Sequence, residues 1–194
     1  AAVALTSRPR EDVLFWDPFC GSGTIAIEAA MIMTNHAPGL SRSFAGECFS
    51  CLPGDSWDEA REEAKSKIND KSGFEVYASD IDASVLEYAK ANAERAGVAT
   101  HIKIFKKNAL TIEKPDRRGT IVCNPPYGER LLERQEAESL YRAFGKAWRT
   151  LPEGWRTLVL SSHTEFERCF GRPADKKRKL YNGMIKCDLF IYLK

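Results

Sequence analysis

The sequence predicts an α/β protein built on a mostly parallel, doubly wound sheet that ends in an antiparallel hairpin. Three observations carry this expectation. An apolar run turns through two glycines into an Ala- and Ile-rich helical stretch, strand-like and helical runs then alternate, and Asn182-Gly183 joins two strand-like runs near the end. Residues 13–17 (VLFWD) read as a buried strand, and Thr24 to Thr34, with little polarity, as the buried helix after it. Residues 36–56 hold Gly, Pro and Ser and read as a long loop, a class of segment that is commonly functional or mobile. Asp55 or Ser56 can cap a polar helix over 57–70. A second strand is expected over about 74–79, then a helix over 83–96 stopped by Gly97. A third strand at 101–106 and a short apolar fourth at 119–123 (GTIVC) follow. Next come an amphipathic helix at 136–150, a fifth strand at 155–162 and a short helix at 164–170. Residues 177–194 form two strands across Asn182-Gly183, a dipeptide suited to a tight hairpin turn.

A chain of 194 residues suffices for one domain with a sizeable core, and 43% apolar with 29% charged residues is ordinary for a globular protein. No apolar run approaches the ~20 residues of a membrane span, and the start (AAVALTSRPR) does not read as a signal peptide. The first residue is not Met, so a fragment of a longer protein is expected. The net charge of +2 says little about a polyanionic partner. Six scattered cysteines do not suggest a secreted disulfide framework and point to a reducing, cytoplasmic setting. Cys48 and Cys51 form a CxxC, but no second CxxC or HxxxH completes four zinc ligands, so no metal is expected.

The segment DPFCGSGT (17–24) sits where the first strand meets the first helix, and Asp17, Pro18, Cys20, Gly21, Gly23 and Thr24 are candidate cofactor-binding residues. Glycines there permit a tight turn and close approach of a ligand. Gly21-x-Gly23-x-x-Ala26 also satisfies the dinucleotide fingerprint, so a nicotinamide cofactor is one reading. Asp17 favours another: a carboxylate before the glycines suits a cationic ligand, such as the ammonium of a methionine moiety, and suits pyrophosphate poorly. The acid expected ~20 residues on in a dinucleotide site is also missing; Asp80, in YASDIDAS, comes much later. Asp80 can accept both hydroxyl hydrogens of a ribose, Ile81 would lie against adenine, and Asp82 can cap the next helix. Asn108, followed by Ala109, could hydrogen-bond the adenine edge or simply hold a turn.

VCNPPYGER (122–130) runs from a strand straight into Asn124-Pro125-Pro126-Tyr127. Two prolines cannot extend a central strand, and they fix the backbone rigidly. The Asn124 side-chain oxygen and the Pro125 carbonyl can both accept hydrogens from one –NH2 group and aim its lone pair at an electrophile. Two such acceptors favour the positive charge that builds on nitrogen in the transition state. Tyr127 offers a ring on which a base can stack, and a paired base must leave its helix to reach it.

DPFCGSGT, SDID and NPPYGER in this order resemble class I S-adenosylmethionine methyltransferases of the amino-methylating kind. IEAAMI (27–32), HAPGLSRSFAGE (36–47) and FGRPADKKRKLYNG (170–183) resemble more closely the 23S rRNA guanine-N2 methyltransferases with a THUMP domain, proteins often labelled N6-adenine-specific DNA methylases. The resemblance covers nearly the whole chain. It implies a Rossmann-like class I methyltransferase sheet, S-adenosylmethionine as cofactor and large-subunit rRNA as partner. It also implies that residues 1–194 are the catalytic domain of a protein whose THUMP-containing region and first catalytic-domain segment lie upstream. Asn108 stands where many relatives carry Asp.

The run Lys176-Lys177-Arg178-Lys179 reads either as a solvated edge or, given the resemblance, as an RNA phosphate-contacting patch. The Asn-Pro-Pro-Tyr turn recognises an amine rather than its carrier, so adenine in DNA and a glutamine amide in protein stay open. So do a nicotinamide oxidoreductase and a binding module without activity.

Overall fold

A computed structural model of the chain describes residues 1–49, 51, 55–71, 73–112, 117–128 and 131–194. Glu129 and Arg130, the last two residues of NPPYGER, lie outside them. The strands are β1 (Leu14–Asp17), β2 (Val76–Asp80), β3 (Ile102–Lys106), β4 (Gly119–Cys123), β5 (Arg156–Ser161), β6 (Lys176–Asn182) and β7 (Ile185–Leu193). They form one sheet in the order β3-β2-β1-β4-β5-β7-β6. β1 to β5 pair in parallel, and β7 runs antiparallel to both β5 and β6.

The closing hairpin therefore enters the sheet by its second strand and leaves its first at the edge. Residue chemistry explains the choice. β7 is apolar on both sides, with Cys187, Leu189 and Ile191 buried on one face and Phe190 and Tyr192 on the other, as an interior strand requires. β6 is charged and exposed along most of its length, the composition that protects an edge from further pairing.

Helices α1 (Ala2–Ser7), α2 (Thr24–Met33) and α4 (Ala83–Arg95) pack on one face over Phe15, Val76, Ala78, Val122, Leu158 and Leu189. Helices α5 (Leu131–Trp148) and α6 (Phe166–Phe170) cover the other, where Tyr141, Phe144, Trp148, Phe166 and Phe170 meet Trp16, Ile121, Phe190 and Tyr192. A Cβ on Gly145 would lie 2.0 Å from the Phe170 carbonyl oxygen, so only glycine lets α5 approach α6 this closely. The polar α3 (Ser56–Ser66) lies between β1 and β2 in sequence, with Trp57 stacked on Phe44 at 5.3 Å.

Two differences from the sequence pattern have simple causes. α1, six residues long, is too short to show a helical period. α5 starts five residues earlier than 136 because Glu133, Arg134, Gln135 and Glu136 are all exposed and carry no apolar signal. Strand order reverses between β1 and β4, which opens a crevice beyond their carboxyl ends, the place where such sheets hold ligands. Among the described residues no helix is long and apolar enough to cross a membrane.

Candidate active site

The glycine turn is laced to the end of β2. The Cys20 amide donates to the Ser79 carbonyl at 3.0 Å, and the Gly21 amide to Asp80 Oδ2 at 3.0 Å. The Asp82 amide donates to Asp80 Oδ1 at 3.1 Å. Each Asp80 oxygen thus holds one backbone amide and keeps lone-pair capacity for a ligand hydroxyl. Asp82 caps α4, accepting from the Ser84 amide at 2.8 Å. The two glycines serve different ends. Gly21 has φ +50° and nothing within 4 Å of where a Cβ would stand, which leaves room for a ligand. Gly23 has φ +85°, and its Cβ would come 3.2 Å from that of Ala89, so it lets α2 pack on α4.

Asp17 is 1% exposed. Its carboxyl accepts from the Phe19 amide at 3.2 Å, and burial pushes its pKa up to about 8. Among the described residues no cation pairs with it. A buried carboxyl in this state is stabilised by a cationic partner, and the ammonium of an amino-acid moiety supplies that charge. Asp17, Gly21 and Asp80 therefore fit S-adenosylmethionine.

A cavity of about 430 Å³ opens here, within the range that receives a cofactor-sized ligand. Pro18, Gly21, Asp80, Ile81, Asn108, Ala109, Asn124, Pro125, Pro126 and Tyr127 line it together. Ile81 is 63% exposed, an apolar surface open to an aromatic ligand. Asn108 Oδ1 accepts from the Leu110 amide at 2.9 Å and so shapes its own turn. Four of the candidates, Asp17, Cys20, Gly23 and Thr24, stand apart from the cavity lining. Cys20 is buried, with its thiol pushed up to about 12 by burial, and Thr24 starts α2 with its hydroxyl 3.4 Å from that of Ser22. Phe19 and Leu140 line the cavity and were not among the sequence candidates. Phe19 lies inside DPFCGSGT; Leu140 is one of several apolar residues on α5, with nothing local to mark it.

β4 is buried throughout and delivers Asn124 to this cavity. The Tyr127 hydroxyl donates to Asn124 Oδ1. Asn182 Nδ2 lies 3.5 Å and Cys187 Sγ 3.7 Å from the same hydroxyl, so the β6–β7 hairpin meets the Asn-Pro-Pro-Tyr turn. Burial pushes the Tyr127 phenol well up, so it stays protonated and donates. Two further contacts fix the turn. The Tyr141 hydroxyl donates to the Pro126 carbonyl at 2.6 Å and lies 3.3 Å from Ser161 Oγ. Gly128 has φ +67°, and a Cβ there would lie 2.4 Å from the Glu133 carbonyl oxygen. Tyr141 falls within the amphipathic helix expected over 136–150; the signal for more was that a buried tyrosine needs a partner for its hydroxyl.

The basic run does not form one patch. Lys176 and Arg178 pair in register with Ile191 and Leu189, and Lys177 and Lys179 with Phe190 and Asp188, so the four divide between the two faces of β6. Lys177 also pairs with Glu167 at 2.8 Å. Cys48 and Cys51 are exposed free thiols.

Residues 1–191 match the family described as RMKL-like, methyltransferase domain. The protein YpsC of Bacillus subtilis is 43% identical over 192 residues, covering 99% of this chain and 50% of its own length. Ribosomal RNA large subunit methyltransferase K/L of Shewanella baltica is 40% identical over 180 residues, covering 91% of this chain and 25% of its own. The crystal structure of SMU.472 complexed with SAH superimposes with a TM-score of 0.91 at 37% identity, covering 99% of this chain and 52% of that one. The chain thus spans about half the length of YpsC and a quarter of the K/L enzyme.

Proposed function

Because the chain belongs to the RMKL-like methyltransferase-domain family, we propose that it methylates an exocyclic amine of a nucleic-acid base, guanine N2 in 23S rRNA, with S-adenosylmethionine as methyl donor. The observation that carries the reading is the shared cavity, in which Gly21 and Asp80 face the same space as Asn124, Pro125 and Tyr127. Asp17 would hold the cofactor's ammonium, Asp80 its ribose hydroxyls, and Ile81 and Asn108 its adenine. The bound cofactor supplies an electrophilic methyl group on a sulfonium.

The chain's own residues do the rest. Asn124 Oδ1 has two lone pairs, and Tyr127 takes one, so the other can accept a hydrogen of the target amine. The Pro125 carbonyl accepts the second. This orientation points the amine lone pair along one direction, and the two acceptors stabilise the charge that develops on nitrogen. The methylated nitrogen then loses a proton to solvent. No residue need act as a strong base. The choice of large-subunit RNA over DNA or protein is supported by the similar Shewanella protein, a ribosomal RNA large subunit methyltransferase. Lys176 and Arg178, which share one face of β6, are proposed to lie along the RNA backbone beside the hairpin. The upstream THUMP-containing region belongs to the same proposal.

Calorimetry with S-adenosylhomocysteine and with NAD, followed by methyl transfer from labelled cofactor to rRNA, tests the reading. Binding of the first ligand alone and label in guanine support it. Binding of NAD, or label only in DNA or protein, contradicts it.

A further inference from the structure

A second, smaller cavity of about 140 Å³ lies at the carboxyl ends of β4 and β5. Tyr127 lines both this cavity and the larger one, so the two adjoin at this residue. The other lining residues are Gly128, Arg134, Ser162, His163 and Thr164. The set is rich in donors. Arg134 reaches Thr164 Oγ1 at 3.5 Å and is about half exposed, and Ser162 and Thr164 add two hydroxyls.

His163 is 6% exposed, and the Glu165 amide donates to its Nδ1 at 3.2 Å. A neutral ring so engaged carries its proton on Nε2, and burial holds the imidazole below its ordinary pKa, which keeps it neutral. His163 Nε2 is nonetheless buried with no hydrogen-bond partner among the described residues, its nearest carboxylate oxygen being Glu138 Oε1 at 3.7 Å. Glu138 is itself engaged by Arg142 at 2.7 Å. A buried donor without an acceptor costs free energy until an acceptor arrives. Arg134, whose Nε also lies 3.9 Å from Glu138 Oε1, two hydroxyls and an unpartnered N–H together suit an oxyanion.

We propose that this cleft seats a backbone phosphate of the nucleic-acid substrate, at the nucleotide whose base lies against Tyr127. The inference rests on the functional reading above. The cleft adjoins the larger cavity at Tyr127, so a nucleotide with its amine at Asn124 can extend its sugar-phosphate toward Arg134, Ser162 and Thr164. The cleft would thus hold an extruded nucleotide by its backbone, independently of base identity.

The test uses the full-length protein and its rRNA substrate, with Arg134→Gln and Thr164→Val, both at exposed positions. Loss of one charge-assisted contact should raise KM for RNA by about tenfold or more while kcat stays within about threefold. S-adenosylhomocysteine affinity should not change. The dependence of log KM on log salt should flatten by roughly 0.7–0.9 for Arg134→Gln, the contribution of one phosphate, and not for Thr164→Val. An unchanged KM and salt slope in Arg134→Gln, with the unsubstituted protein active on RNA, overturns this proposal and leaves the functional reading intact. Failure of the unsubstituted protein to methylate RNA overturns both.

Discussion

The Tyr127 hydroxyl donates to the side-chain oxygen of Asn124, so the residue expected to stack on a base also orients the residue expected to hold its amine. Tyr127→Phe separates the two roles, because it keeps the ring and removes the donor. Loss of one orienting hydrogen bond of about 1 kcal/mol should slow methyl transfer roughly fivefold. Tyr127→Ala, which removes the ring as well, should raise KM for RNA in addition. Single-turnover rates and RNA affinity of both variants check this. Equal effects in both would show that the hydroxyl alone matters.

The role proposed for Asp17 would couple stability to cofactor binding. The fold raises its pKa from 3.8 to about 8. Between those values the folded chain binds more protons than the unfolded one, so this residue's contribution to stability falls as pH rises through that window. Asp17→Asn removes the buried charge and should raise the melting temperature above pH 8 in the absence of ligand. It should also abolish the further rise given by S-adenosylhomocysteine. In the parent protein, affinity for that ligand should increase with pH up to about 8, as the carboxyl ionises. Thermal denaturation at several pH values, with and without ligand, checks both, and a pH-independent ligand shift would contradict the assignment.

Asp80→Ala should weaken S-adenosylmethionine by about 1.5–3 kcal/mol, the worth of charge-assisted hydrogen bonds to ribose. Asp80 also holds the amides of Gly21 and Asp82, so Ala loosens the turn as well. Asp80→Asn keeps an acceptor oxygen and should lose less. Calorimetric dissociation constants for the two variants check this, and an unchanged constant in Asp80→Ala would show that the ribose is held elsewhere.

Much of this site was legible because its residues announce themselves over short stretches. Asp17 and Gly21 flank a strand-to-helix turn, Asp80 ends a strand, and Asn124 precedes two prolines. What stayed hidden depends on elements far apart in sequence. Tyr141 and Leu140 matter because α5 crosses the end of β4, and His163 because β5 brings its carboxyl end beside Tyr127. The basic run read either as a solvated edge or as one patch, because the alternation of an edge strand, which splits it between two faces, is invisible in a run of like residues. The hairpin was recognised from Asn182-Gly183, while its order in the sheet followed from the two apolar faces of β7.

The central claim is that Asn124 Oδ1 and the Pro125 carbonyl receive the target amine, and Asn124→Ala tests it most directly. The substitution removes one acceptor and leaves Asp17, Gly21 and Asp80 in place. Removing one preorganised group of this kind typically slows a chemical step ~100- to 1,000-fold. The decisive measurement is the single-turnover rate of RNA methylation by full-length Asn124→Ala, with S-adenosylhomocysteine binding measured in parallel. The account predicts a rate down by about two to three orders of magnitude with ligand affinity nearly unchanged; a near-normal rate would contradict it.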